Sequence, residues 1–374
     1  MPANPVRPLE ETDVPAVADL HRRVFKIPSS LTDELLACYR DYYRTIFFEN
    51  PWRDLSLSPL VCEEKGAIVG SLGIVPRPMK FKGQPVVAAL TSQFVVDPAS
   101  RSMAGVRLLK ACFEGPQDLT FADESTDLTR QLWERLGGRT AYCHSFRWLA
   151  PLRPAQLTIS TSRLRRFGGL LRLPAALLDS LAVRIPRSPY GRPKPSSLAG
   201  RPLAAGQLQE ILDASRAALT ISHTRESLEW VLNRISALTE LHGPLQSVLV
   251  EASDGKPAGC YLYHRKPTGV SRVVLFWARA GQEREAMAHL FENAWAAGCL
   301  AIGGVVPPNL QQVFARQRCM MDDYQKWFLA HSRSDSLLQA VCGGDDNLSL
   351  LDGEWITHFN YKRAPGLAIR AGSR

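Results

Sequence analysis

Phe94-Val95-Val96-Asp97-Pro98-Ala99-Ser100-Arg101-Ser102-Met103-Ala104-Gly105-Val106-Arg107-Leu108-Leu109-Lys110 runs from an apolar strand, through a short loop, into an amphipathic helix. Such a loop turns successive backbone N–H groups toward one point, and the helix adds its unpaired donors and positive dipole end. Together these suit a diphosphate. Ser102, Ala104 and Gly105 are small where the backbone must approach an anion closely, and Arg101 and Arg107 offer charge-assisted contacts. The other reading of the same small residues is close packing of the helix on a sheet.

Working outward, Val6-Arg7-Pro8-Leu9 reads as a strand, and Glu10 to Asp13 open a helix with Val14, Val17, Leu20 and Val24 at helical spacing. Leu31 to Phe48 is a second helical stretch, stopped at Asn50-Pro51. The period then shortens to that of strands. Leu60 to Glu63, Ala67 to Ile74, Met79 to Phe81 and Pro85 to Val96 form hairpins turned at Lys65-Gly66 and Lys82-Gly83. Val106 to Phe113 predicts a helix, Leu119 to Ala122 a strand, Thr126 to Leu136 a helix and Ala141 to Trp148 a last strand. A similar order restarts from Leu203, without a residue-level repeat. The fold class expected is α/β, with residues 1–154 and 201–374 as two domains joined by a basic linker or insert, 155–200. Each domain is a mixed, mostly antiparallel sheet flanked by helices.

The 374 residues carry a net charge of +9, with 45% hydrophobic and 22% charged residues, so neither disorder nor a fibrous fold is indicated. Between Arg147 and Arg201 lie eleven basic residues and one acid, Asp179. The charge therefore belongs to one segment and does not argue for nucleic-acid binding. Eight scattered cysteines without CxxC spacing speak against a zinc site or disulfide scaffold, and no metal is expected. No apolar stretch is long enough to span a membrane and no secretory signal is seen, so the cytoplasm is the expected compartment.

The opening stretch resembles the coenzyme A motif of the GNAT acyltransferases, a strand ending V-x-P followed by R/Q-x-x-G-x-G/A. Val96-Asp97-Pro98 and Arg101 stand in place; the two glycine positions hold Ala104 and Val106, with Gly105 between them. Leu132-Trp133-Glu134-Arg135-Leu136-Gly137-Gly138 is similar to the family's next motif, and Val6 to Asp13 to its first strand and helix. The resemblance spans about residues 5 to 148 and implies two tandem GNAT-like domains, the second degenerate. It implies transfer from acetyl-CoA or a longer acyl-CoA to a small-molecule amine by direct attack. Phe94, Val95, Val96, Arg101, Ser102, Met103, Ala104, Gly105, Val106 and Arg107 would hold the coenzyme, with strand amides near Phe94 to Val96 polarising the thioester. The tyrosine with which many members protonate the leaving thiolate is replaced by Trp133.

Glu124 is nominated as general base; it and Asp123 also stand where a helix cap would, the reading given to Asp123. Ser92 and Gln93 could order a water or the substrate. Two other readings stand beside catalysis: an acyl-CoA-binding protein without transfer, and an adaptor whose basic insert docks an acyl carrier protein or an anionic membrane surface. Gly168-Gly169 and Pro174 are expected to interrupt any long helix in that insert, and Asp352 to Trp355 reads as a turn with a strand, structural first and acceptor-binding as the other reading.

Overall fold

A computed structural model describes residues 5–27, 30–98, 103–184, 192–317, 319–322 and 326–360. The strands are β1 (Val6–Pro8), β2 (Leu60–Glu64), β3 (Ala67–Phe81), β4 (Gln84–Val96), β5 (Leu119–Ser125), β6 (Arg139–Thr140), β7 (Arg147–Pro151), β8 (Ala199–Pro202), β9 (Leu219–Ile221), β10 (Leu245–Glu251), β11 (Pro257–His264), β12 (Val270–Ala278), β13 (Ala301–Val305), β14 (Met320–Asp322) and β15 (Trp327–His331). Alternating apolar residues and the turns at Lys65-Gly66 and Lys82-Gly83 close the β2–β3 and β3–β4 hairpins as the sequence predicts. β3 runs straight through Pro76 and Pro78. These fall between Leu72, the last β3 residue paired to β2, and Met79, the first paired to β9, so that edge loses no ladder bond to proline.

Two mixed, mostly antiparallel sheets result. The first has the order β1-β2-β3-β4-β5-β15-β6, with β9 beside β3; the second is β14-β7-β13-β12-β11-β10-β8. Each contains one parallel pair, β4 with β5 and β12 with β13, connected through a helix. The helices flanking the first sheet are α1 (Val14–Val24) and α2 (Asp33–Tyr43) over one face and α3 (Ala104–Phe113) and α4 (Asp127–Arg135) over the other. The face bearing α1 and α2 shares a core with the second sheet, through Leu249, Cys260, Leu262 and Val274.

The halves exchange strands. β7, from before residue 154, adds to β13 in the second sheet, and β15 adds to β5 in the first. The expected strand Ala141–Trp148 is thus divided: Tyr142–Ser145 is a single helical turn, α5, and only Arg147 onward is strand, in the other sheet. A fragment ending at residue 154 would leave β7 without partners and expose the edge of β5. We expect it to be unfolded or aggregated by circular dichroism and sedimentation; a folded, monomeric fragment would contradict the exchange.

In the basic segment, α6 (Pro154–Thr161) and α7 (Gly168–Arg184) pack as a hairpin. The break expected at the glycines is there, a 3-10 turn, Arg163–Phe167, giving way to α7 at Gly168, but the one expected at Pro174 does not occur. α7 begins at Gly168 and continues for 17 residues through Pro174, which forgoes only the bond to the Leu170 carbonyl. Asp179 turns inward and accepts from Ala155 N and Gln156 N, capping α6.

Candidate active site

β4 and β5 pair at three positions only, Ala88 with Leu119, Ala89 with Thr120 and Leu90 with Phe121. Beyond them the strands part, leaving the β5-facing edge of residues 92–96 without a strand partner among the described residues. Thr91 Oγ1 donates to Phe121 O (3.2 Å) at the fork. The parting coincides with a bulge: Ser71 and Gly73 oppose Val95 and Ser92, so β4 holds one extra residue. Gln93 takes the bulged conformation at φ 49°. Its amide ties the bulge to two layers, Oε1 lying 2.7 Å from His21 Nε2 and Nε2 donating to Thr357 O (3.2 Å). Burial pulls His21 down to about 4, so the ring is neutral and one nitrogen is free to accept from Tyr39 at 2.9 Å.

α3 starts at the end of β4. Val96 and Phe94 face it, and a Cβ on Gly105 would come within 3.3 Å of Phe94 and 3.4 Å of Val96. Gly105 therefore lets the helix sit close on the sheet. Met103, at the start of the helix, is exposed. Ala104 and Gly105 are buried, and Arg107 Nη1 donates to Glu64 Oε1 at 2.6 Å, toward β2. Arg101 and Ser102 lie outside the described residues. Trp133, where the family has its tyrosine, is buried edge-on against Phe113 at 4.9 Å and serves packing.

The end of β5 carries a cluster of carboxylates. Thr126, not Asp123, caps α4, its Oγ1 accepting from Thr129 N. Asp123 points into the protein, where its Oδ1 accepts from Glu354 N (2.6 Å) and its carboxyl packs against Gly353, a position with no room for a Cβ. Burial, reinforced by the charge of Glu124, raises the Asp123 carboxyl well above the usual carboxylate range. Glu354 is raised further, by burial and then by Asp123 and Glu124, and its Oε1 accepts from Glu124 N (3.1 Å). Burial also works against ionisation of Glu124, but the hydrogen bond with His358 and the charges of His358, Arg147 and Lys326 outweigh it. Glu124 is held below the usual range. Arg147 Nη2 donates to its Oε1 (3.1 Å), His358 Nε2 lies 3.3 Å from Oε2, and Lys326 Nζ donates to its backbone oxygen (3.3 Å). One firmly ionised carboxylate and two proton-retaining ones thus stand side by side.

Residues 346–360 reach this point as a strap stitched to both halves. Asp346 lies 2.8 Å from His144, whose ring it holds protonated up to about 10 against the opposing effect of burial. Asp352 pairs with buried Arg77 and with His223, each at 3.2 Å, while Arg77 stacks over Trp52. Thr357 O also accepts from Tyr42 (2.5 Å), and His358 O from Arg234. Glu354–Thr357 is a 3-10 turn, not the expected strand. Sequence reasoning singled out Glu124 and Gln93 and weighed Asp352 to Trp355 as an acceptor-binding turn, but it passed over His358, whose carboxylate partner Glu124 is 234 residues away.

Two cavities flank the carboxylates. One, of about 350 Å³, is lined by Glu124, Arg147, His242, Lys266, Arg272, Lys326 and Trp355. The other, of about 680 Å³, lies between the sheets, with Asp123, Val274, Phe276, Phe328 and Leu350 in its mostly apolar wall. Among the described residues no cluster of His, Cys, Asp and Glu could hold a metal, and no helix is long and apolar enough to cross a membrane.

A parting parallel strand pair with a bulge and a following helix is the frame of an acyltransferase fold, and the comparisons agree. Residues 5–134 match the family described as an acetyltransferase (GNAT) domain. No curated protein matches the chain. Among solved structures the chain is similar to a probable N-acyltransferase from Enterococcus faecalis V583, at TM-score 0.56 and 10% identity over 87% of this chain and 72% of that one. It is also similar to a GCN5-related N-acetyltransferase from Anabaena variabilis ATCC 29413 (TM-score 0.53, 15% identity, 87% and 71% covered). Another such protein, from Kribbella flavida, has TM-score 0.50 and 14% identity, with 87% and 70% covered. At these identities the likeness is one of fold.

Proposed function

We propose that the protein is an N-acyltransferase that passes an acyl group from acyl-CoA to the amine of a small molecule. The observation that carries this is the fork between β4 and β5, with carboxylates of opposed proton affinity at its mouth. The coenzyme would lie in the fork along residues 92–96, its diphosphate at the start of α3, by Met103, Ala104, Gly105 and Val106, with Arg101 and Ser102 just before them in sequence; Arg107 would join by leaving Glu64. The amine attacks the thioester carbonyl, whose developing charge is met by β4 amides near Phe94 to Val96. The C–S bond breaks, the coenzyme leaves as a thiolate, and the nitrogen loses a proton.

Asp123 suits that proton better than Glu124, since a carboxylate raised toward neutrality is the stronger base. Glu124, fixed by Arg147 and His358, suits holding the incoming ammonium. Trp133 supplies no acid, and a thiolate needs little help to leave near neutral pH. In the second sheet, β10 to β13 repeat the order of β2 to β5, including the helix before the parallel strand. We read residues 201–374 as a degenerate partner domain that walls the acceptor site. The 680 Å³ cavity beside Asp123 is within the size range of ligand pockets and would take an acyl chain longer than acetyl. Eight cysteines outside any disulfide and an acyl-CoA donor together favour the cytoplasm. Free-thiol release from acetyl- and longer acyl-CoA donors over an amine library tests the assignment. Amine-dependent release supports it; binding without release would favour an acyl-CoA-binding protein.

A second reading concerns the basic hairpin. On α7, Leu170, Leu173, Leu177, Leu178 and Leu181 are 56–80% exposed along one stripe, flanked by Arg163, Arg166, Arg172 and Arg184. With its one acid buried as a cap, this surface fits an anionic lipid interface. Vesicles containing phosphatidylglycerol should sediment the protein and pure phosphatidylcholine should not, with Leu173→Ser/Leu177→Ser abolishing the difference. Equal sedimentation by both vesicles, or by neither, would remove this role.

A further inference from the structure

The 350 Å³ cleft beside Glu124 has an unusual electrostatic make-up. Two lysines, Lys266 and Lys326, line it beside Arg272 and the Arg147–Glu124 ion pair. His242 adds no charge, being pulled down to about 3 by burial and by His358. Arg147 is already committed to Glu124, and among the described residues Lys326 Nζ donates to that residue's backbone oxygen and to no carboxylate. Lys266 has no carboxylate partner among the described residues. Trp355 forms part of the wall, is 4% exposed, and its indole N–H has no partner among the described residues. A buried donor without an acceptor is costly unless something else arrives to accept.

The cleft stands on the acceptor side. Trp355 belongs to the core on the face of the first sheet that carries α1 and α2, whereas α3, where the coenzyme diphosphate would sit, covers the opposite face. The cations come from strand ends of both sheets, so the cleft exists only where the halves meet: Arg147 opens β7, Lys326 precedes β15, and Lys266 and Arg272 stand at the β11–β12 turn.

We infer that this cleft binds an anionic group, carboxylate or phosphate, carried by the amine acceptor itself. The inference rests on the acyl-transfer reading and narrows it: the substrate is an amine with an anion a few bonds away, its ammonium near Glu124 and its anion among Lys266, Lys326 and Arg272. Oxygen acceptors of such a group would also meet the Trp355 indole. Polycationic amines are disfavoured, because their further charges would meet these cations.

Matched acceptors test it: O-phosphoethanolamine against ethanolamine, and β-alanine against β-alaninamide, each with the preferred acyl-CoA. One charge-assisted contact predicts a kcat/KM ratio of about 10- to 100-fold for the anionic member. The first pair reports phosphate and the second carboxylate. In Lys266→Ala/Lys326→Ala that ratio should collapse toward one. Neutral members equal to or better than the anionic ones would overturn the inference, as would a double variant that weakens acyl-CoA binding as much as transfer, which would give the cations to the coenzyme. Should wild-type protein bind no acyl-CoA, the functional reading itself fails. The cleft is then judged by thermal shift: stabilisation by O-phosphoethanolamine but not ethanolamine, lost in the double variant, sustains an anion site, and its absence refutes one.

Discussion

Replacing Asp352 by alanine is expected to destabilise the fold by about 3–5 kcal/mol, the range for breaking a buried ion pair by removing one partner. Arg77 is fully buried in β3, and Asp352 provides its ion pair; its Nε and Nη1 have no acceptor among the described residues. The stack over Trp52 remains in the variant, but it cannot replace a carboxylate in a dry site. His223 and Ser349 lose the same acceptor, since Ser349 donates to Asp352 through both N and Oγ. Burial would raise the Asp352 carboxyl, but the hydrogen bond with His223 and the charges of His223 and Arg77 hold it below the usual range. Its contribution is therefore present at neutral pH and lost as the pH falls through that lowered value. Urea unfolding should show the full loss near neutrality and a smaller gap from wild type in acid. A loss under about 1 kcal/mol would mean that the strap is not anchored there.

The second large effect is on catalysis. Asp123→Asn keeps the shape of the side chain and an oxygen for the Glu354 N–H, but it cannot take a proton. Transfer should fall by about 100- to 10,000-fold, the usual worth of a positioned base. The wild-type rate should rise with pH through the raised Asp123 value, and this acid limb should vanish in the variant. Stability moves the other way. Because the folded protein retains the Asp123 proton more firmly than the unfolded chain does, that residue favours folding below the ordinary carboxylate range. The contribution is lost as pH rises through the raised value. The asparagine variant should lose less stability than wild type between mildly acid and mildly alkaline solution. The parallel Glu124→Gln variant separates the two carboxylates: if it alone abolishes the pH-dependent limb, the base is Glu124, as the sequence first suggested.

What could be read from the sequence was what is local. The hairpins, the strand into α3 and the helix α4 declare themselves through residue spacing and turn residues within a dozen positions. The motif around Val96-Asp97-Pro98 then pointed to a GNAT likeness, and residues 5–134 match that family's model. The exchange of β7 and β15 was not legible, because nothing in Arg147–Pro151 says that its partner is β13, some 150 residues on. The same distance hid half of the site. Glu124 stood out at a strand end, whereas Glu354 and His358 sit in a short turn without periodicity and gain meaning only through Asp123 and Glu124. Pro174 misled for a physical reason: its helix runs exposed on one side and accommodates one missing bond. Gly105, read as a residue near a diphosphate, also proves to be what lets α3 approach Phe94 and Val96.

The account stands most directly on acyl-CoA in the fork, and hydrogen exchange with and without acetyl-CoA and a long-chain acyl-CoA tests it. At a hundred times its dissociation constant the ligand should add about 2.7 kcal/mol to folded-state stability. Protection should concentrate in residues 91–98 and 103–108 and at the end of β5, with little change in the second sheet outside its contacts with the strap. No stabilisation by any donor, or protection confined to the second sheet, would contradict the assignment of this chain as an acyl-CoA-dependent transferase.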